Sequence, residues 1–170
     1  MSIDAHVHLP TAPELDTRQK QKRRLLAEMR ENGVEKCLLI ADSWQQSDIG
    51  NNQECLALFA DTPEVSVAAG VSPLVDFDRQ CRALAAWLEE GRVSGIKLYP
   101  GHEDFPLTAP ALERVYLLAQ RYAVPVLFHS SGGRFPGRGT PEEAAAVLRR
   151  HPGLMLVCCH CFAPHVESCL

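Results

Sequence analysis

Short runs of residues that are apolar on both faces alternate along this chain with longer stretches whose apolar positions recur at helical spacing. Strands are predicted over residues 2–9, 36–41, 65–71, 94–99, 124–129 and 154–161. Helices are predicted over 17–32, 52–61, 79–90, 110–122 and 140–150. In the first helix Leu25, Leu26 and Met29 share one stripe, and Gly33 lies just past the end, where a left-handed residue closes a helix. In the third, Cys81, Leu84, Trp87 and Leu88 recur at i, i+3, i+6 and i+7, and Gly91 ends the pattern. Pro110 opens the fourth, and Thr140-Pro141-Glu142-Glu143 has the form of a capping box with proline at the first helical position.

Strand and helix recur every 25 to 30 residues or so, the size of a βαβ step. Strands apolar on both faces, joined by helical crossovers, imply a parallel sheet covered by helices, an α/β fold. Neither a linker nor a low-complexity segment interrupts the pattern, so residues 1–170 read as one domain. Ligand sites in such sheets lie at the carboxyl ends of the strands.

Composition narrows the function classes. The chain has 170 residues, 46% hydrophobic and 22% charged, enough for one sizeable core. A net charge of -4 and a pI near 6.0 give no general attraction to nucleic acid or to an anionic membrane. The basic run from Arg18 to Arg24 reads as the solvated start of a helix. No apolar stretch approaches the roughly 18 residues of a membrane span, and Met1 leads directly into a polar strand with no secretory signal. A cytoplasmic location is expected. Seven cysteines, an odd number mostly inside apolar patterns, favour reduced thiols over a disulfide framework.

The candidate chemistry begins at His6-Val7-His8. Residues i and i+2 of a strand share a face, so two imidazoles separated by one valine can grip one cation. His8, Tyr99, His129 and His160 all fall at the ends of predicted strands, on one rim. Any one of them alone reads as a core residue satisfied by a backbone carbonyl; together they point to a shared metal-centred site.

At this point the sequence resembles a known family, the amidohydrolase superfamily, within it the amidohydrolase-related branch that includes amino-carboxymuconate-semialdehyde decarboxylase. The matching segments are Ile3-Asp4-Ala5-His6-Val7-His8-Leu9, Gly95-Ile96-Lys97-Leu98-Tyr99-Pro100, Val124-Pro125-Val126-Leu127-Phe128-His129 and Leu154-Met155-Leu156-Val157-Cys158-Cys159-His160. The resemblance implies a TIM-barrel-like fold and a divalent metal, zinc before others, on His6, His8 and His129. It implies for His160 a place beside the metal and the substrate as the catalytic acid–base, or, in binuclear relatives, on a second metal. An imidazole there can exchange a proton near pH 7.

Lys97 is open to two readings. Some binuclear relatives carry a carbamylated lysine near the fourth strand; otherwise its ammonium pairs with a carboxylate of the protein or the substrate. Alternation puts Lys97 and Tyr99 on one face, inside the barrel, where Tyr99 can donate to substrate or simply pack. In the glycine-rich loop 130–140, Arg134 or Arg138 could hold a substrate carboxylate, against the reading of a mobile loop with incidental arginines. Cys158-Cys159-His160-Cys161 fits no structural zinc spacing, since alternation groups Cys158 with His160 and sends Cys159 and Cys161 to the other face. Asp4 is expected on the face of His6 and His8, but deeper, in a supporting role.

A full barrel has eight βα units and about 250 residues. This chain supplies six and ends in residues 164–170, which read as the start of a sixth crossover helix, so the resemblance implies a C-terminally truncated member lacking the family's strand-eight aspartate. The expected function is hydrolysis of a C–N or C–O bond in an amide, lactone or ester of a small-molecule substrate by metal-activated water. Alternatives are metal-dependent decarboxylation and a catalytically inactive fragment. TatD-type deoxyribonucleases are more distant, because Gly95-Ile96-Lys97-Leu98 stands where they place a glutamate ligand. Neither a nucleic acid nor a membrane partner is expected, and a homo-oligomer is compatible with the sequence.

Overall fold

The structure, a computed structural model, describes residues 1–130, 132–163 and 167. Six strands and five helices alternate: β1 (Ile3–Val7), α1 (Arg18–Glu31), β2 (Lys36–Ile40), α2 (Asn52–Leu58), β3 (Val65–Gly70), α3 (Phe77–Glu89), β4 (Gly95–Leu98), α4 (Glu113–Tyr122), β5 (Val126–Phe128), α5 (Pro141–Arg150) and β6 (Leu156–Cys158). The helix predicted over 110–122 divides, because Pro110–Leu112 winds as a 3-10 turn before α4 begins. The start of a sixth crossover helix expected over 164–170 lies, apart from Glu167, outside the described residues.

Local chemistry sets the helix ends. Thr17 caps α1 by accepting from Lys20 N, and Gly33, at φ 66°, turns the chain so that Val34 N reaches Met29 O at 2.8 Å. Asn51 and Glu54 form a full capping box on α2. At α5 the box is half made: Thr140 accepts from Glu143 N, but Glu143 Oε2 accepts from Leu107 N at 2.9 Å and Gly139 N at 3.0 Å instead of turning back to Thr140. That carboxylate therefore ties the loops after β4 and β5 to one helix.

All strand pairs are parallel and the order is β1-β2-β3-β4-β5-β6. Right-handed crossovers taken always in the same sense put every helix on one side and curl the sheet into an open barrel. Residues alternate between the sides. Cys37, Leu39, Val67, Ile96, Leu98, Val126 and Phe128 pack in the large helix-side core. Ile40, Ala68 and Leu127, with Leu38, Tyr99 and Cys159 against them, form a small cluster inside the curl. Buried Cys37 and Cys55 are structural thiols, their pKa values pushed up by burial to about 11 and about 12. Among the described residues no helix is long and apolar enough to cross a membrane.

The register of β1 breaks between Asp4 and Val7. Asp4 pairs with Cys37 and Val7 with Leu39, so three residues advance against two. The bulge keeps His6 and His8 together and turns Asp4 away from them. Its carboxylate accepts from His6 N at 3.0 Å and lines a cavity with Val7, Arg24 and Met29 under α1. The sequence expectation that Asp4 shares the face of the histidines is thus corrected, since alternation assumes an unbroken register.

Candidate metal centre

His8 fixes the centre of the site. Its Nδ1 lies 3.3 Å from Ile40 O at the end of β2, which assigns the ring proton to Nδ1 and leaves the Nε2 lone pair free of it. That Nε2 points at His6 Nε2, 3.2 Å away. Two nitrogens about 2.0–2.1 Å from one tetrahedral ion stand roughly 3.3 Å apart, so the pair has the spacing and the outer hydrogen bond of two ligands to one cation. Burial first, then the nearby Lys97 charge, hold His6 down to about 4; His8 and His160 are also lowered, mainly by burial. All three are neutral at pH 7 and able to donate a lone pair.

The other predicted histidines continue the cluster. The His160 ring lies 5.5 Å from that of His6 and 4.7 Å from that of His129. Buried Ser130, next to His129, holds this arrangement: its Oγ accepts from His160 N at 3.1 Å and contacts Cys158 Sγ at 2.9 Å. After Cys158 the strand ends in a turn in which Cys161 and Phe162 both take positive φ, 47° and 53°. Alternation therefore fails here. Cys159 faces the interior against Lys97, Cys158 packs on the helix side, and His160 reaches the mouth through the turn, not as a partner of Cys158 on one face.

Among the described residues no three His, Cys, Asp or Glu side chains stand as a preformed metal shell. His6 and His8 meet the requirement as a pair, and His129 joins them through His160. The donor set, neutral imidazoles with an oriented tautomer, fits a divalent ion of the first transition row or zinc.

Lys97 is buried, 1% exposed, on the inner face with Tyr99, its Nζ 5.0 Å from the Tyr99 ring centroid. Burial lowers its pKa. Its hydrogen-bond partner in the protein is the Cys159 thiol at 3.1 Å, in place of the protein carboxylate that was one of the sequence readings. Burial likewise raises Tyr99, whose hydroxyl stays protonated and lies 3.5 Å from Ala41 O. Arg134 is exposed and stands over the Phe135 ring, and none of its described contacts is with the histidines. Arg138 is engaged by Asp104, with Nε and Nη2 at 3.0 and 2.9 Å from one oxygen.

Backbone packing pins the loop after β5. A Cβ on Gly133 would meet Gly101 O at 2.5 Å, and one on Gly139 would meet His129 O at 2.5 Å. Only glycine lets the loop lie on the strand end that carries His129.

Three parts of the site were not singled out in the sequence. His102 is exposed and its ring lies tilted against that of His129, centroids 4.1 Å apart; the rule that loops after parallel strands line the site could have found it, four residues beyond β4. The Ile40 carbonyl carries no side-chain signal. Glu103 is buried, held by Ser72 Oγ, with its Oε1 unpartnered and its pKa raised by burial.

Residues 3–168 match a family model described as amidohydrolase. Among solved structures, an uncharacterised TIM-barrel protein from Bordetella bronchiseptica is similar, with a TM-score of 0.78 and 17% identity over 98% of this chain and 69% of that one. A 4-oxalomesaconate hydratase from Rhodopseudomonas palustris gives 0.64 at 19% identity, covering 92% of this chain and 61% of its own. A 5-carboxyvanillate decarboxylase variant from Novosphingobium aromaticivorans, with bound manganese, gives 0.59 at 13%, covering 83% and 53%. At these identities the likeness is one of fold. No curated protein matches.

Proposed function

We propose that this chain, which belongs to the amidohydrolase family, carries the metal centre of a metal-dependent hydrolase acting on a C–N or C–O bond of a small carboxylate-bearing molecule. One observation carries the reading: His8, oriented by Ile40 O, presents Nε2 to His6 Nε2 at 3.2 Å, with the His160 ring against both His6 and His129. His6, His8 and His129 would hold the ion, zinc being the simplest choice for an all-imidazole set. Bound there, such an ion polarises a substrate carbonyl and lowers the pKa of water toward about 7.

The chain's own residues supply the rest. His160, neutral at pH 7 and anchored through Ser130, takes up and returns the proton during bond cleavage. Lys97 is the cation nearest the imidazoles, while Glu103, its pKa raised by burial, offsets it less than an exposed carboxylate would. Tyr99 donates its hydroxyl hydrogen from the inner face. Arg138 is committed to Asp104, and Arg134 serves as a rim cation for the substrate carboxylate only if the loop changes its contact with Phe135. A carboxylate-bearing substrate also accords with the hydratase and decarboxylase among the structural neighbours.

Decarboxylation at the same site is the second reading. It is supported by the 5-carboxyvanillate decarboxylase among the structural neighbours, which shares the fold. The test is to load the protein with zinc or manganese and follow cyclic carboxylated lactones, amides and aromatic carboxylates for acid release or CO2. Ring opening supports hydrolysis, CO2 release supports the second reading, and no turnover with either metal on any of them contradicts both.

A further inference from the structure

Lys97 and Cys159 meet across β5, from β4 and from the turn after β6, with Nζ 3.1 Å from Sγ. Lys97 is 1% exposed, and Cys159 is the partner that its buried nitrogen has. Cys159 itself is partly exposed. Its neighbour Cys158 packs on the opposite side of the strand beside Ser130 Oγ, and Cys161 follows in the turn. The reactive group in hydrogen-bond contact with the Cys159 sulfur is therefore an amine.

We propose that Lys97 and Cys159 are a modification site at which a peroxide drives a reversible sulfenamide bond between Nζ and Sγ. In the first step the Cys159 sulfur attacks hydrogen peroxide; the O–O bond breaks, sulfur loses two electrons, and Cys159–SOH and one water form. In the second, the Lys97 amine attacks that sulfur; the N–S bond forms, the S–O bond breaks, and the hydroxyl leaves with one amine proton as a second water. The oxidant is consumed in the first step, and the second is a condensation. A separation of 3.1 Å is within the roughly 3–3.5 Å of a near-attack arrangement. Burial, which lowers the Lys97 pKa, favours the neutral amine that this attack needs. The bond ties β4 to the end of β6 and removes the Lys97 amine from beside His6, His8 and His160. A thiol reductant restores both side chains by exchange at sulfur.

This site does not depend on the enzymatic reading, and the test is a peptide map of the intact chain. After stoichiometric hydrogen peroxide, the peptides bearing Lys97 and Cys159 should run as one species lighter by two hydrogens than their sum, and dithiothreitol should separate them. Lys97→Arg, which keeps a cation but no nucleophilic amine, should give no linked species and let Cys159 proceed to sulfinic acid. If that variant does not fold, the map of the unsubstituted chain decides alone. A disulfide from Cys159 to Cys158 or Cys161 in place of the link, or an unlinked sulfinic acid on Cys159 in the unsubstituted chain, overturns the proposal.

Discussion

The ring of His6, near the end of β1, lies 5.5 Å from the ring of His160, which follows β6. The first and last strands of an open sheet are thereby brought to one place, and the curl that does this comes from six parallel strands wound in a single sense. The residue proposed to move protons thus lies against a residue proposed to hold the ion, although four strands separate theirs in the sheet.

Metal binding should follow from the His6–His8 pair. Replacing both with alanine removes the two nitrogens that already stand 3.2 Å apart, and zinc affinity should fall by more than about 100-fold. Calorimetry at neutral pH reads this directly, and His160→Ala in the same titration should change affinity far less.

The metal-free protein should lose stability as pH falls from the ordinary histidine value of 6.5 toward about 4. His6 has a folded pKa lowered to about 4, so across that window the unfolded chain binds the extra proton and the folded chain does not. Stability is complete above 6.5 and declines as pH drops through the interval. His8 and His160 act in the same direction. Urea titrations at several pH values should show this slope, and His6→Phe should flatten it.

Much of the fold was legible because parallel strands buried on both sides leave continuous apolar runs, and caps such as Thr17 and Thr140 mark the helices between them. Lys97 and Tyr99 could be put on one inner face because alternation holds through β4, and His6 and His8 stay together because the bulge in β1 leaves them on one side. Alternation failed where the backbone departs from a regular strand. The bulge between Asp4 and Val7 reverses the side of Asp4, and the turn after Cys158 takes His160 off the face of Cys158, while Cys159 keeps the opposite side that alternation gives it. Neither break leaves a residue-type signal, since no glycine or proline marks either place. The Lys97–Cys159 contact bridges 62 positions of sequence and follows from the parallel pairing that sets β6 beside β5.

Glu103→Gln should stabilise the protein at neutral pH by about 1 kcal/mol, because it exchanges a buried carboxylate with an unpartnered oxygen for a neutral group of the same shape. The carboxyl pKa is raised in the folded state, so the native glutamate is tolerated fully below about 4.5 and costs stability as pH rises through its folded value. The gap between the two proteins, measured by thermal denaturation, should widen from pH 4 to pH 8.

Gly139→Ala should cost about 2 kcal/mol or more, since residue 139 has φ 64° and its Cβ would press on His129 O. It should also weaken metal binding, through His129. Arg138→Ala, which removes an exposed ion pair to Asp104, should change stability by less than about 1 kcal/mol and leave metal affinity unaltered. Denaturant titration and zinc calorimetry on the two variants separate loop packing from charge.

The most direct test of the metal centre is the X-ray absorption spectrum of the zinc-loaded protein. His6, His8 and His129 as ligands predict one zinc per chain with nitrogen neighbours at about 2.0–2.1 Å and the outer-shell scattering of imidazole rings, reduced in His129→Ala. Sulfur at about 2.3 Å would place the ion on Cys158, Cys159 or Cys161 instead and would contradict the account, as would the failure of the chain to retain zinc at all.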